Sequence, residues 1–296
     1  MPNFVVKKAS FEQTTAVLSL LPELMSTEIL PPDFIVAHPH DDPSRILGAA
    51  AFIPKIHNTE RPGFICYCRV LPAFRKQGIG STLIQHLAKQ VASWDVDYLH
   101  TASTYDDGSS EADFLKRLGF EVSGSMHHFM SHAATTLPML QRLVKALYGR
   151  GRVPNGFAIK PFSDTEPDAL ASLFCRQFGG SMTHARNQVE LALKEPSGEK
   201  LSLSLADGNQ LAGFLVASHD NTSLEVKYWV TDPAFGQGWS AALLLDGCLS
   251  RANNLGFTQG RYSCNDKTRA TLNIARKTGA QLEFLRRSYV LDVTSL

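Results

Sequence analysis

The chain has 296 residues, 44% hydrophobic and 19% charged, with 29 Lys and Arg against 28 Asp and Glu for a formal charge of +1. That length predicts about two domains of ordinary globular composition, each able to bury its own core. The balanced charge excludes the basic excess of a nucleic-acid binder and the acidic tail of an interaction segment, and no apolar run is long enough to span a bilayer.

The five cysteines (Cys66, Cys68, Cys175, Cys248 and Cys264) are odd in number and scattered. They form neither a disulfide framework nor a zinc pattern, so reduced core thiols are expected. The opening MPNFVVKKASFEQ has no apolar h-region, and a cytoplasmic protein is expected.

In chain order, residues 3–7 read as a strand and 11–25 as a helix N-capped by Ser10, which Pro22 kinks or ends early. A short strand follows at 34–37. His38-Pro39-His40-Asp41-Asp42-Pro43 holds two His and two Asp, but its prolines mark a solvated turn rather than a metal site. Strands are expected at 45–54 and 64–71, then a helix at 80–94 with Leu83, Ile84, Leu87, Ala88 and Val91 on one stripe. A strand at 97–104, a helix at 111–118 and a closing strand or hairpin at 120–130 complete this half. A linker is expected at 132–155, carrying a basic amphipathic helix at 139–148. The second half reads as a strand at 157–161, helices at 166–178 and 183–194, strands at 201–206, 211–219 and 223–231, and a helix ending near 254.

The stretch VLPAFRKQGIGSTLI (70–84) stands out. Gly78 and Gly80 let backbone amides approach a ligand, at a helix N-terminus that favours an anion, and Arg75 and Lys76 add two cations. Neither a Walker loop nor GxGxxG is present. The stretch returns in the second half. Pro-Ala-Phe recurs at 72–74 and 233–235, an offset of 161. Gln-Gly recurs at 77–78 and 237–238, and Leu83-Ile84 (matched by Leu243-Leu244), Ser103 and Leu118-Gly119-Phe120 (matched by Thr278-Gly279-Ala280) all hold an offset of 160. A constant offset predicts two copies of one domain. The second copy lacks both cations and has Trp239 and Ser240 where the first has Ile79 and Gly80. The bulky Trp239 is expected to obstruct a ligand there.

Arg75-Lys76-Gln77-Gly78-Ile79-Gly80 resembles the acyl-CoA signature of the GCN5-related N-acetyltransferases, Arg/Gln-x-x-Gly-x-Gly/Ala. The flanking order of strand, loop, helix, strand and helix resembles that family too. The resemblance implies an α/β (α+β) fold with mixed, mostly antiparallel sheets, arranged as two tandem domains. These are an N-terminal domain at 1–131 with the intact signature, the linker at 132–155, and a degenerate C-terminal domain at 156–296. It implies transfer of an acetyl group from acetyl-CoA directly to a primary amine of a small molecule or peptide, in the N-terminal domain. The implied cofactor-binding residues are Val70 and Leu71, pairing with the pantetheine arm, and Arg75, Lys76, Gln77, Gly78, Ile79, Gly80 and Ser81 around the pyrophosphate.

The acid and base do not carry over. Where some members have a strand carboxylate this chain has Phe64, and where many have a tyrosine it has Leu115, with Ala275 in the second copy. Tyr67, Cys68, Tyr105, His127 and His128 are the remaining catalytic candidates, each with an ordinary structural role as its alternative. A rival reading is a non-catalytic CoA-binding sensor or interaction module. A third, by fold analogy, is an acyltransferase of thiol-cofactor biosynthesis. No metal, nucleic acid or membrane partner is expected, and the acceptor region at about 25–45 carries no motif.

Overall fold

The computed structural model describes residues 3–26, 31, 33–55, 61–178, 181–220, 223–235, 238–266 and 268–294. They divide into two compact units, Met1–Gly124 with Arg287–Leu296, and Ser125–Arg286.

Unit 1 begins with β1 (Phe4–Lys8), α1 (Thr14–Leu20), β2 (Phe34–Pro39), β3 (Gly48–Lys55) and β4 (Gly63–Val70). These four strands form an antiparallel run. Helix α2 (Ile79–Ala92) follows, then β5 (Tyr98–Thr101), β6 (Tyr105–Asp106) and α3 (Ser110–Arg117). β5 lies parallel to β4. α1 is shorter than expected because Pro22 ends it, and a 3-10 turn takes over at Pro22–Ser26. β3 is buried over six consecutive residues because both of its faces are covered. Ala50 and Phe52 pack with Leu83 and Leu87 of α2. Ala49, Ala51 and Ile53 pack with Val17, Leu21 and Leu24. Each such large aliphatic contributes about 1.5–3 kcal/mol by leaving water.

β2 extends two residues beyond expectation, so His38 is a buried strand residue rather than part of a turn. Its ring donates Nδ1–H to the Pro39 carbonyl at 2.7 Å. In the turn itself, Asp42 accepts from the Ser44 backbone N–H at 3.1 Å and from its hydroxyl. Among the described residues no three His, Cys, Asp or Glu converge as a metal site.

Of the closing strand or hairpin expected at 120–130, the strand is found: β7 (Glu121–His132) is one extended strand, and the division between units falls inside it, at Gly124. The strand that closes the unit 1 sheet comes from the far end of the chain, the last part of β13 (Gln281–Asp292). Val290, Leu291 and Asp292 pair antiparallel with His100, Leu99 and Tyr98.

Unit 2 repeats this plan. It contains α4 (Ala133–Gly149), β8 (Ala158–Pro161), α5 (Pro167–Phe178), α6 (Met182–Lys194), β9 (Leu203–Asp207), β10 (Gln210–His219) and β11 (Ser223–Thr231). α7 (Trp239–Asn254), β12 (Gln259–Asn265) and α8 (Arg269–Lys277) follow. β8 to β11 run antiparallel, and β12 joins β11 in parallel. The sheet then takes Met126–His132 of β7 as the antiparallel neighbour of β12. Each unit thus gains a strand from the sequence of the other repeat. The segment expected as a linker is structured: α4 packs on α7 and α8, and Leu140 and Val153 lie in the unit 2 core.

Candidate functional site

The site in unit 1 is built where β4 parts from β5. Their parallel pairing covers Phe64–Leu99, Ile65–His100 and Cys66–Thr101, and ends as Ala102 N–H donates to the Cys66 carbonyl at 3.2 Å. β4 runs on to Val70, still paired with β3 on its other side. Leu71 N–H donates to the Leu47 carbonyl at 2.9 Å. Backbone groups of alternate strand residues point to opposite edges. Residues 69 and 71 therefore face β3, and the N–H and C=O of Cys68 and Val70 face the gap that β5 has left.

This corrects one expected residue. Leu71 has both polar groups engaged within unit 1, its carbonyl accepting from Phe74 N–H at 2.9 Å. Cys68, not Leu71, shares the open edge with Val70. Sequence alone missed it, because strand register decides which alternate residues face the gap.

The signature loop turns the chain from β4 into α2. Pro72–Phe74 forms a 3-10 turn, over which the Arg45 guanidinium stacks on the Phe74 ring at 5.1 Å. Lys76 adopts φ +62° and Gly78 φ +84°, so the loop closes through two left-handed residues. At Gly78 a side chain would meet nothing within 4 Å, so only the backbone conformation selects glycine there. Gly80 differs: a Cβ there would stand 3.4 Å from Phe114 Cζ and 3.6 Å from Val70 Cγ2.

Thr82 N–H is the first α2 amide to donate back along the helix, to the Gly78 carbonyl at 3.0 Å. The amides ahead of it, including those of Ile79, Gly80 and Ser81, form the unsatisfied helix N-terminus that favours an anion. Arg75 and Lys76 are exposed beside it. Arg75 Nε lies 3.3 Å from the Val70 carbonyl. Its charge also helps lower the Glu111 carboxyl, after the larger effect of the Ser110 hydroxyl. Ile79 is buried and anchors the loop to the core.

The catalytic candidates fall in different places. Tyr67 is half-buried on the α1 face of β4, and burial, with the Glu23 carboxylate, pushes its phenol up. Cys68 packs on the α2 face, where burial pushes its thiol up to about 12. Tyr105 packs near Tyr289, ring centroids 6.3 Å apart. His127 and His128 make their contacts in unit 2. His127 Nε2 is 2.8 Å from Asp266 Oδ1. His128 bonds Ser263 Oγ at 2.7 Å and stacks on Phe284 at 4.2 Å. Phe64 and Leu115, at the positions of the family's base and acid, are core residues.

Two charged residues that the sequence did not single out flank the open edge. Arg69, on the α1 face of β4 with Tyr67, forms an ion pair with Glu23 of the turn after α1. They are 46 positions apart in the chain, and no local pattern signals the pair.

In unit 2 the corresponding loop is altered. Gly238 keeps the left-handed turn at φ +73°, but Trp239 is 1% exposed. Its indole donates to the Phe235 carbonyl at 3.0 Å and packs against Phe157, centroids 5.2 Å apart. The expected obstruction by Trp239 is therefore absent, because its ring fills the core as Ile79 does in unit 1. Gly236 and Gln237, which complete the repeated motif, lie outside the described residues.

The sequence model described as the acetyltransferase (GNAT) family matches residues 10–120. No curated protein sequence matches the chain. Among solved structures, a GCN5-related N-acetyltransferase from Sphaerobacter thermophilus is 12% identical at a TM-score of 0.56, covering 99% of this chain and 96% of its own. A tandem GNAT protein from the clavulanic acid biosynthesis pathway is 14% identical at 0.55, covering 98% of each. One from Anabaena variabilis is 14% identical at 0.61, covering 98% of this chain and 73% of its own. At these identities the structural likeness shows the fold, α/β with two such domains, and the family model matches the part of unit 1 that carries the loop. Residues 10–120 thus resemble the GNAT acetyltransferases in sequence, and the whole chain shares the fold of a tandem two-domain GNAT protein.

Proposed function

We propose that unit 1 is an N-acetyltransferase that uses acetyl-CoA to acylate a primary amine of a small molecule or peptide. The observation that carries this reading is continuous. The backbone edge of Cys68 and Val70 that faces away from β3, with Arg75 Nε donating to the Val70 carbonyl at 3.3 Å, leads directly into the left-handed Gly78 opening of α2. An extended amide-bearing arm would pair with the first, as an added strand does, and a pyrophosphate would meet the second.

Bound acetyl-CoA supplies an activated thioester. The chain's own residues do the rest. Val70 and Cys68 hold the arm through backbone groups, the amides of Gln77 to Ser81 neutralise the phosphates, and Arg75 and Lys76 add side-chain charge. Positioning the amine beside the thioester is the main catalytic contribution, since a thiolate leaves readily. Tyr67 lies one residue beyond the last β4–β5 pair and stays protonated at neutral pH, able to hydrogen-bond near the reacting centre. Cys68, thiol rather than thiolate, is unsuited to carry an acyl group, which supports direct transfer.

Unit 2 has neither cation at its loop, and the serine in place of Gly80 is buried. A single acetyl-CoA site, in unit 1, follows. A second reading, a CoA-binding sensor without catalysis, is favoured by the burial of Phe64 and Leu115 in the core. Calorimetric titration with acetyl-CoA, followed by CoA release over a panel of primary amines, separates the two. Binding with turnover supports the enzyme, and binding without turnover on any amine supports the sensor.

A further inference from the structure

The Glu23–Arg69 pair sits where an acceptor would approach, and its chemistry narrows what that acceptor is. Arg69 and Tyr67 alternate along the part of β4 that has lost β5, about 7 Å apart on one face of the sheet. Glu23 is carried over them by the turn Pro22–Ser26, whose neighbours Leu21 and Leu24 are buried in the core beneath, so its backbone is held on a fixed support. The side chains of Glu23 and Arg69 remain 46% and 43% exposed. An ion pair this open contributes little to folding, so it can be opened at small cost.

Resting on the reading of unit 1 as an amine acetyltransferase, we infer that Glu23 and Arg69 form the acceptor-binding element, and that the acceptor is a zwitterion of the amino-acid type. Glu23 takes its ammonium and Arg69 its carboxylate. The pair is neutral as a unit, so it matches a head group that carries one charge of each sign. Arginine presents the planar fork that a carboxylate fits. Glu23 brings the amine beside Tyr67, and hence beside the end of the β4–β5 pairing, where the acyl group is expected.

The test uses the full chain, acetyl-CoA and matched probes: L-phenylalanine against phenethylamine, and L-leucine against isoamylamine. Thiol release reads turnover, and calorimetry reads acetyl-CoA binding. The inference expects each amino acid to exceed its decarboxylated partner in kcat/KM by about 10- to 100-fold, the range for one charge-assisted hydrogen bond. Arg69→Ala should erase that ratio through KM while acetyl-CoA affinity is retained, Arg69→Lys should restore part of it, and Glu23→Gln should weaken both members of each pair. Equal turnover of the two members, an unchanged ratio in Arg69→Ala, or turnover of neither amino acid while acetyl-CoA binds would each overturn the inference and leave the cofactor site standing. Failure of the folded wild type to bind acetyl-CoA would overturn the cofactor reading, and the acceptor assignment with it.

Discussion

Val290 stands opposite His100 in an antiparallel pair, and three residues on Val293 N–H donates to the Asp97 carbonyl at 2.8 Å. The strand that closes unit 1 therefore comes from the C-terminal end of the chain. Tyr289, Leu291 and Val293 lie in the same core as Leu83, Leu87 and Phe52. The fragment 1–131 lacks all three, and it should show no cooperative unfolding transition in urea, whereas the intact chain does. Within the intact chain, Tyr289→Ala should cost about 3–5 kcal/mol. A fragment 1–131 that folds and binds acetyl-CoA would contradict the exchanged strand.

The signature loop gives a mutational contrast between its two glycines. Gly78→Trp forces a left-handed conformation on a bulky residue, costing about 1–3 kcal/mol, but it finds open space. The variant should remain folded and lose acetyl-CoA affinity at least about tenfold, as read by calorimetry. Gly80→Trp collides with Phe114 and Val70 and should lose stability as well. Unchanged affinity in folded Gly78→Trp would remove the loop from the binding site.

Cys68 yields a kinetic prediction. Burial pushes its thiol up to about 12, so below that pH it is neutral and a poor nucleophile. Iodoacetamide should alkylate it slowly at pH 8 in the native protein and rapidly in urea. Cys68→Ala should keep kcat within a few-fold, and initial rates should fit a ternary-complex pattern. Ping-pong kinetics lost in Cys68→Ala would instead establish a covalent acyl carrier.

Titration of the whole protein with acetyl-CoA should give one site per chain. Trp239→Ala opens a cavity in the unit 2 core and should destabilise by about 3–5 kcal/mol. It should create no second site, since the missing cations, not the indole, distinguish this loop from that of unit 1. A stoichiometry of two in either protein would show that backbone amides alone suffice.

The hydrogen bond between His127 Nε2 and Asp266 gives unit 2 a pH dependence. Burial raises the Asp266 carboxyl, but hydrogen bonds from His127 and from Ser125 outweigh it, and the net shift is downward. A carboxyl held below its usual 3.8 stabilises the folded state above that value, and the stabilisation is lost as pH falls through the lowered one. Asp266→Asn should flatten the acid limb of the stability profile, measured by urea unfolding from pH 5 down to pH 2.

Much of this was legible locally. The α2 stripe and the turn into its N-terminus at Gly78 follow from side-chain spacing and glycine placement, which neighbouring residues set. The His38 strand position was not, because Pro39 reads as a turn residue and only pairing along β1, Phe4 opposite Pro39, extends the strand. Nor was the inward course of Trp239, since a loop-flanking indole can face solvent or core, and Phe157, far away in sequence, decides the matter.

By itself the sequence determined that the chain is a repeated α/β domain with one copy of the complete Arg75-x-x-Gly78-x-Gly80 motif, because periodicity, glycine placement and a constant offset are local or additive signals. Only the tertiary structure decided three further points. These are which repeat supplies each closing strand, which of Cys68, Val70 and Leu71 turns its backbone groups away from β3, and that Glu23 meets Arg69. Each depends on strand register or on contacts between distant segments. Strand pairing is carried by backbone groups that every residue shares, so side chains read along the chain do not encode it.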